Sequence, residues 1–320
     1  TSVLKAFAIE FDDYALYTGA NEDLLIIGSA QGPLGPLSDQ ALSYPDVAAE
    51  MERIEIRGMG DLVGRYLIDR AALQVFLEQV PVPANSDYYP YLDNGAERAR
   101  FVGEDAFDLQ RLNRIWLMID PWLQQQVWST QTRGNHTQLS EKFLQSIFLG
   151  ELWAKDFDLE KIPVGKLPEE DYRRARNVSA AGERCNTRQI DVDLQDALWL
   201  SDATAVYGPP GHIDALWASI VDSPCFARMP SQVQHAYLFF QAVSARENVR
   251  IIELAESLLP ELGGLKGYTD YLMFQALSAA QRMQQPQLAE ALLAGNRQVK
   301  IEALEVLVLA ANLQGQADQL

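Results

Sequence analysis

The chain has 320 residues, 48% of them hydrophobic, and carries 44 acidic against 26 basic residues for a net charge of −18. That length and apolar content support two or three domains with real cores. The charge repels phosphate backbones and anionic membranes at long range, which argues against a nucleic acid partner, although solubility alone also accounts for it.

Apolar runs such as DLLIIG and LEVLVLAANL stop well short of the roughly 20 residues that a membrane-spanning helix requires. Neither a membrane span nor a signal peptide is expected in this chain. Cys185 and Cys225 are far apart and form neither a CxxC pair nor a disulfide framework; both read as structural thiols of a reducing compartment, and the expected location is cytoplasmic. His136, His212 and His235 show no metal-ligand spacing, so no metal site is expected.

In chain order, the opening TSVLKAFAIEF reads as an element in mid-domain, so the chain is expected to be a stretch of a larger protein. Val3, Leu4, Phe7, Ala8 and Phe11 recur at helical spacing. The apolar runs Tyr14 to Thr18 and Asp23 to Ala30, separated by GANE, predict two paired strands and are the only convincing sheet material. After GPLGPLSD, helices are predicted over Pro45 to Ile56, Asp61 to Ile68 and Arg70 to Val80. The proline-rich VPVPANSDYYPYLDNGAE reads as an ordered loop. Beyond it, Phe107, Leu109, Leu112, Trp116 and Ile119 mark one helix, Leu139 to Lys155 a second, and EEDYRRARNV a third within a linker from Phe157 to Asn186.

The strongest internal signal is self-similarity at an offset of 34 residues. YLFFQAVSARENVRIIELAESLL from Tyr237 aligns without gaps to YLMFQALSAAQRMQQPQLAEALL from Tyr271, pairing Phe240 with Phe274, Gln241 with Gln275, Ser244 with Ser278 and Leu258 with Leu292. Each unit is a helical hairpin whose apolar stripes are buried only when neighbours stack, so the period resembles a tetratricopeptide-like array. EALEVLVLAANL repeats the first helix a third time, with Ala310 in register with Ala276, and DLQDALWLSDATAVYGPPGHIDALWASIVD is a degenerate hairpin upstream. Gln241, Ser244, Gln275 and Ser278 are candidates for a concave interaction surface, or else simply polar turns of exposed helix.

A second resemblance rests on Leu25, Ile26, Ile27, Gly28 and Ser29, followed after a helical insertion by Asn85, Asp87, Pro90 and Leu92. This order resembles the C-terminal half of the catalytic domain of large spermidine synthase-like proteins, polyamine aminopropyltransferases with a methyltransferase-like Rossmann core. It covers about residues 1 to 100, and Ser86, Tyr88 and Asp93 depart from its pattern. The resemblance implies that the Gly-rich turn and the acids which hold nucleoside and amine precede the part present here, so no catalytic residue and no cofactor is expected in this chain. Gly28, Gly32 and Gly35 lack GxGxxG spacing and read as a surface turn rather than a phosphate loop.

The expected fold class is therefore mostly α: a small α/β remnant of a Rossmann-like domain at 1–100, a helical connector at 101–190, and tetratricopeptide-like hairpins at 191–320. The expected function is a non-catalytic interaction or assembly module, through a protein partner or self-association. The alternative is a polyamine-related role, aminopropyl transfer by the full-length parent or binding here through Asn85, Asp87, Tyr88 and Tyr89, since carboxylates and aromatic faces suit an organic cation.

Overall fold

The structure, a computed structural model, describes residues 2–19, 23–54, 56–86, 88, 90, 109, 111–120, 125, 145–146, 148–150, 168–183, 190–262 and 267–317. It is mostly helical with one small antiparallel sheet. The chain divides into two compact units: residues 1–135 together with 302–320, and residues 136–301.

The first unit begins with helix α1 (Ser2–Glu10), then strands β1 (Asp13–Thr18) and β2 (Leu24–Ser29). The two strands pair antiparallel from Asp13 opposite Ser29 to Thr18 opposite Leu24, as the run-turn-run pattern predicts. Helices α2 (Pro45–Arg53) and α3 (Met59–Arg65) follow, then β3 (Tyr66–Asp69) and α4 (Arg70–Gln79). Strand β3 corrects the sequence reading, which runs a helix through Ile68. It pairs antiparallel with β1, so the sheet order is β2-β1-β3. Helix α3 stops at Arg65 because Leu67 and Ile68, 1% and 3% exposed, are buried in the sheet. Tertiary pairing overrides a weak local helical pattern. Asp69 then caps α4, its carboxylate accepting from the Ala72 N–H at 2.9 Å.

One sheet face is covered by α1. Phe7 and Phe11 stack at 4.3 Å, and Phe7 meets Tyr14 edge-on at 6.1 Å. The rings lie directly over Gly28, where an added Cβ would sit 2.7 Å from Phe11 Cδ1. A glycine is needed there for this close approach. On the other face Tyr17 packs on Tyr66 at 5.7 Å, and Tyr66 on Trp116 of helix α5 (Asn113–Ile119) at 6.0 Å. The Trp116 indole N–H donates to the Tyr66 carbonyl at 3.1 Å.

The second unit contains helices α6 (Glu169–Ser179), α7 (Ile190–Tyr207), α8 (Asp214–Val221), α9 (Ser231–Ala245), α10 (Asn248–Leu262), α11 (Tyr268–Arg282) and α12 (Pro286–Gly295). Successive helices pack as hairpins, α9 on α10 and α11 on α12, with α10 on α11 joining the two. The core is aromatic: Trp217, Tyr237, Phe239, Phe240 and Phe274 are each at most 1% exposed. Its two hairpin turns each pass through a left-handed residue other than glycine, Arg246 (φ 58°) and Gln284 (φ 55°). At the first, the Glu247 N–H closes α9 on the Ala242 carbonyl at 2.9 Å.

Helix α13 (Leu304–Ala317) departs from the expected order. Its sequence has the phase of α9 and α11, yet it belongs to the first unit, where it packs on α4 and α5. Gly315 lies against Val75, with an added Cβ 3.2 Å from Val75 Cγ2. Glu305 meets Arg111 Nη2 at 2.6 Å and Arg114 Nε at 3.8 Å. The second compact unit ends at Ile301.

Cys225 also differs from expectation, being disulfide-bonded rather than a thiol. Cysteine spacing along a chain carries no information about proximity in the fold, which is why the pairing was not legible.

Candidate interaction surfaces

The glycine-rich segment after β2 is closed by the chain's own carboxylates. Asp12 accepts from the Gly32 N–H at 2.9 Å and Asp13 from the Leu34 N–H at 2.8 Å. Gly32 takes a left-handed conformation (φ 73°), and Gly28 lies within β2. The backbone N–H groups of Gly32 and Leu34 are thus occupied by aspartates, which supports the reading as a surface turn for Gly32, whereas Gly28 is a strand residue paired with Tyr14.

The loop proposed for a polyamine starts at a fixed point. The Asn85 N–H donates to the Ser2 carbonyl at 3.1 Å, and the Lys5 ammonium donates to the Val80 carbonyl, so α1 holds the chain leaving α4. Tyr88 projects into solvent at 92% exposure. Asp87 and Tyr89 lie outside the described residues.

The four residues proposed for a concave surface do not share one environment. Gln241 is half-buried and Ser244 is 7% exposed, whereas Gln275 and Ser278 are entirely buried. The reason lies in the position of α11, which packs on α10 and α12, meets Phe239 and Phe240 of α9 through the Tyr271 ring, and is tied to α7 by hydrogen bonds. Tyr268, Tyr271, Gln275, Ser278 and Arg282 fall at helical spacing along one stripe. Along it the Tyr268 hydroxyl donates to the Leu194 carbonyl at 2.5 Å, Tyr271 and Ser201 share a hydroxyl bond at 2.7 Å, and Arg282 Nε donates to Asn248 Oδ1 at 2.9 Å. Arg246 closes this seam by donating to the Ala205 carbonyl at 3.2 Å. Burial pushes the Arg246 guanidinium down to about 10, and burial followed by the Arg246 charge pushes Arg282 down to about 9. This buried polar seam has no signature in the repeat pattern, since the same spacing serves an exposed face.

Within the seam, no described residue partners either end of the Gln275 amide or the Ser278 hydroxyl. A buried amide without a partner costs about 1–3 kcal/mol, more than the same volume of hydrocarbon. Gln275→Leu is therefore expected to stabilise the second unit by about 1 kcal/mol, raising the urea midpoint at unchanged slope. A lower midpoint would show that the amide is bonded in solution.

A third surface belongs to the sheet. Among the described residues β2 pairs only with β1, which leaves its outer edge open. Leu25 and Ile27, alternating on one face of that strand, are 54% and 50% exposed. LLIIGS contains no charge and no proline, the two devices that ordinarily guard a strand edge.

Among the described residues no group of three or more His, Cys, Asp or Glu could hold a metal ion, and no helix is long and apolar enough to cross a membrane. Compared with known proteins, the chain matches no family, no curated protein and no solved structure.

Proposed function

We propose that this chain is an assembly module, the C-terminal region of a spermidine synthase-like protein, whose sheet and helical hairpins join it to other polypeptide. The observation that carries the reading is the open edge of β2 with its exposed Leu25 and Ile27. An unguarded apolar edge is a template for another strand, because its backbone donors and acceptors and its side chains are satisfied together by strand addition. The resemblance of LLIIGS to the motif of that family supports the same edge as the side on which a larger sheet continues. The hairpins α9 to α12 supply the tetratricopeptide-like part of the module.

The test is association of the isolated chain. With its edge uncovered, the chain is expected to self-associate as concentration rises in sedimentation velocity. Leu25→Lys with Ile27→Lys is expected to return it to monomer with little change in Tm, since both positions are half exposed. Identical sedimentation of wild type and variant would remove the edge as the joining surface. The non-catalytic part of the reading has its own arm: calorimetry with decarboxylated S-adenosylmethionine is expected to show no binding, and tight binding would overturn it.

A further inference from the structure

We infer that the second unit binds an inorganic hydrogen phosphate ion between Gln275 and Ser278 of α11 and the guanidinium groups of Arg246 and Arg282.

Helical spacing and the turn after α9 bring the four groups together. Gln275, Ser278 and Arg282 follow Tyr271 along one stripe of α11, and Arg282 Nε donates at 2.9 Å to Asn248, which lies just beyond Arg246 in the chain. Gln275 and Ser278 are entirely buried, whereas both arginines are half-buried. The stripe therefore runs from an enclosed end to one that reaches solvent. Arg246 holds the left-handed position that closes α9 (φ 58°), where glycine would be least strained. An arginine there places a guanidinium at the open end. Its Nη2 donates to the Ala205 carbonyl at 3.2 Å, and this bond, with that of Arg282 to Asn248, orients two planar forks of N–H donors.

The enclosed end lacks what buried polar groups ordinarily have, a bond to protein or to something held. No described residue bonds the nitrogen or the oxygen of the Gln275 amide, or the Ser278 hydroxyl. A hydroxyl inside a helix commonly turns back onto its own backbone, as Thr204 does to the Leu200 carbonyl at 2.7 Å, and Ser278 does not.

The chemistry of the four groups selects the ligand. The Gln275 amide nitrogen, the Ser278 hydroxyl and the guanidinium groups offer donors, which call for an anion; Gln275 Oε1 offers an acceptor, which calls for an anion that also carries a hydroxyl. Hydrogen phosphate meets both demands, whereas chloride and carboxylates meet only the first. Burial holds both guanidinium groups below their usual range, and the Arg246 charge pushes Arg282 down further. An anion beside both relieves that repulsion. The net charge of −18 opposes anions at long range, so binding depends on these local donors rather than on the field of the whole chain. An empty site costs stability, in keeping with the gain expected of Gln275→Leu in phosphate-free buffer.

The experiment is calorimetric titration of the full chain with sodium phosphate at neutral pH and constant ionic strength, paired with thermal melts. One ion per chain is expected, and phosphate at about a hundredfold excess over its Kd should raise Tm by roughly 5–10 °C. Gln275→Leu with Ser278→Ala deletes two unpartnered buried groups, so it is expected to fold and to bind phosphate at least about tenfold more weakly. Sulfate, which has no hydroxyl at neutral pH, is expected to bind about tenfold more weakly than phosphate. O-phosphoserine is expected not to bind, because the ester would have to enter the enclosed end. No heat and no Tm shift for the wild type in millimolar phosphate would overturn the inference. So would an equal response from the double variant, or sulfate or phosphoserine binding as tightly as phosphate.

Discussion

Replacing Phe240 by alanine is expected to cost the second unit about 4 kcal/mol and to move its unfolding midpoint further than any other single core truncation in this chain. The ring is fully buried on α9 and is the point where four aromatic neighbours meet. Its centroid lies 5.4 Å from Trp217 on α8, 6.2 Å from Tyr237, 6.3 Å from Phe239 and 6.3 Å from Tyr271 on α11. Truncation removes the transfer free energy of the ring and leaves a cavity whose walls are themselves large and rigid, so collapse recovers little. The tilted and edge-on pairs contribute a further part, about 0.5–1.5 kcal/mol each before non-additivity. Because a domain holds only about 5–15 kcal/mol in total, the variant should be largely unfolded in moderate denaturant. Phe240→Leu, which keeps most of the volume, should recover more than half of the loss. Equilibrium urea melts followed by near-ultraviolet circular dichroism read both, and a loss below 1 kcal/mol for the alanine variant would mean that the cluster is not the core it resembles.

Glu305→Gln is expected to destabilise the first unit by about 3 kcal/mol. The carboxylate is 2% exposed at the start of α13 and faces Arg111 and Arg114, the latter 7% exposed on α5. Removing the charge while keeping the shape leaves a buried guanidinium without one of its counter-charges, and that desolvation cost dominates the Coulomb energy gained when the pair formed. The exposed pairs elsewhere behave differently. Arg53 and Glu50 are each 72% exposed at the side chain, and breaking them should change stability by less than 1 kcal/mol. Salt separates the two cases, since a buried pair is screened little. Thermal melts at low and high ionic strength should therefore show the Glu305→Gln deficit nearly unchanged; a deficit that vanishes in salt would place Glu305 at the surface. Since Glu305 fastens α13 to α5, the variant also tests whether the C-terminal helix belongs to this unit in solution.

Much of the local structure was legible in the residues. Alternating apolar runs around a short polar turn specify the β1–β2 hairpin, because a period of two can bury one face only as a strand. The apolar stripes of α9 to α12 are equally plain from their spacing. Gly28 could be read only as a possible turn glycine, whereas in the fold its missing side chain makes room for the Phe7 and Phe11 rings.

By itself the sequence determined the helices α9 to α12, where the first hairpin turns, and which face of each repeat helix is apolar. These depend on interactions between residues near in the chain, and periodicity records them directly. The tertiary structure alone decided what covers each face. It turned Tyr66–Asp69 into a strand, because β1 offered a partner for its backbone. It sent α13 to α4 although its pattern matches α11, because an apolar stripe identifies a surface to be buried and not the surface that buries it. It buried Gln275 and Ser278 in a seam where repetition left them equivalent to the half-buried Gln241 and to Ser244. It brought Cys225 into a disulfide, for proximity in space is a property of the folded chain and has no trace in spacing along it.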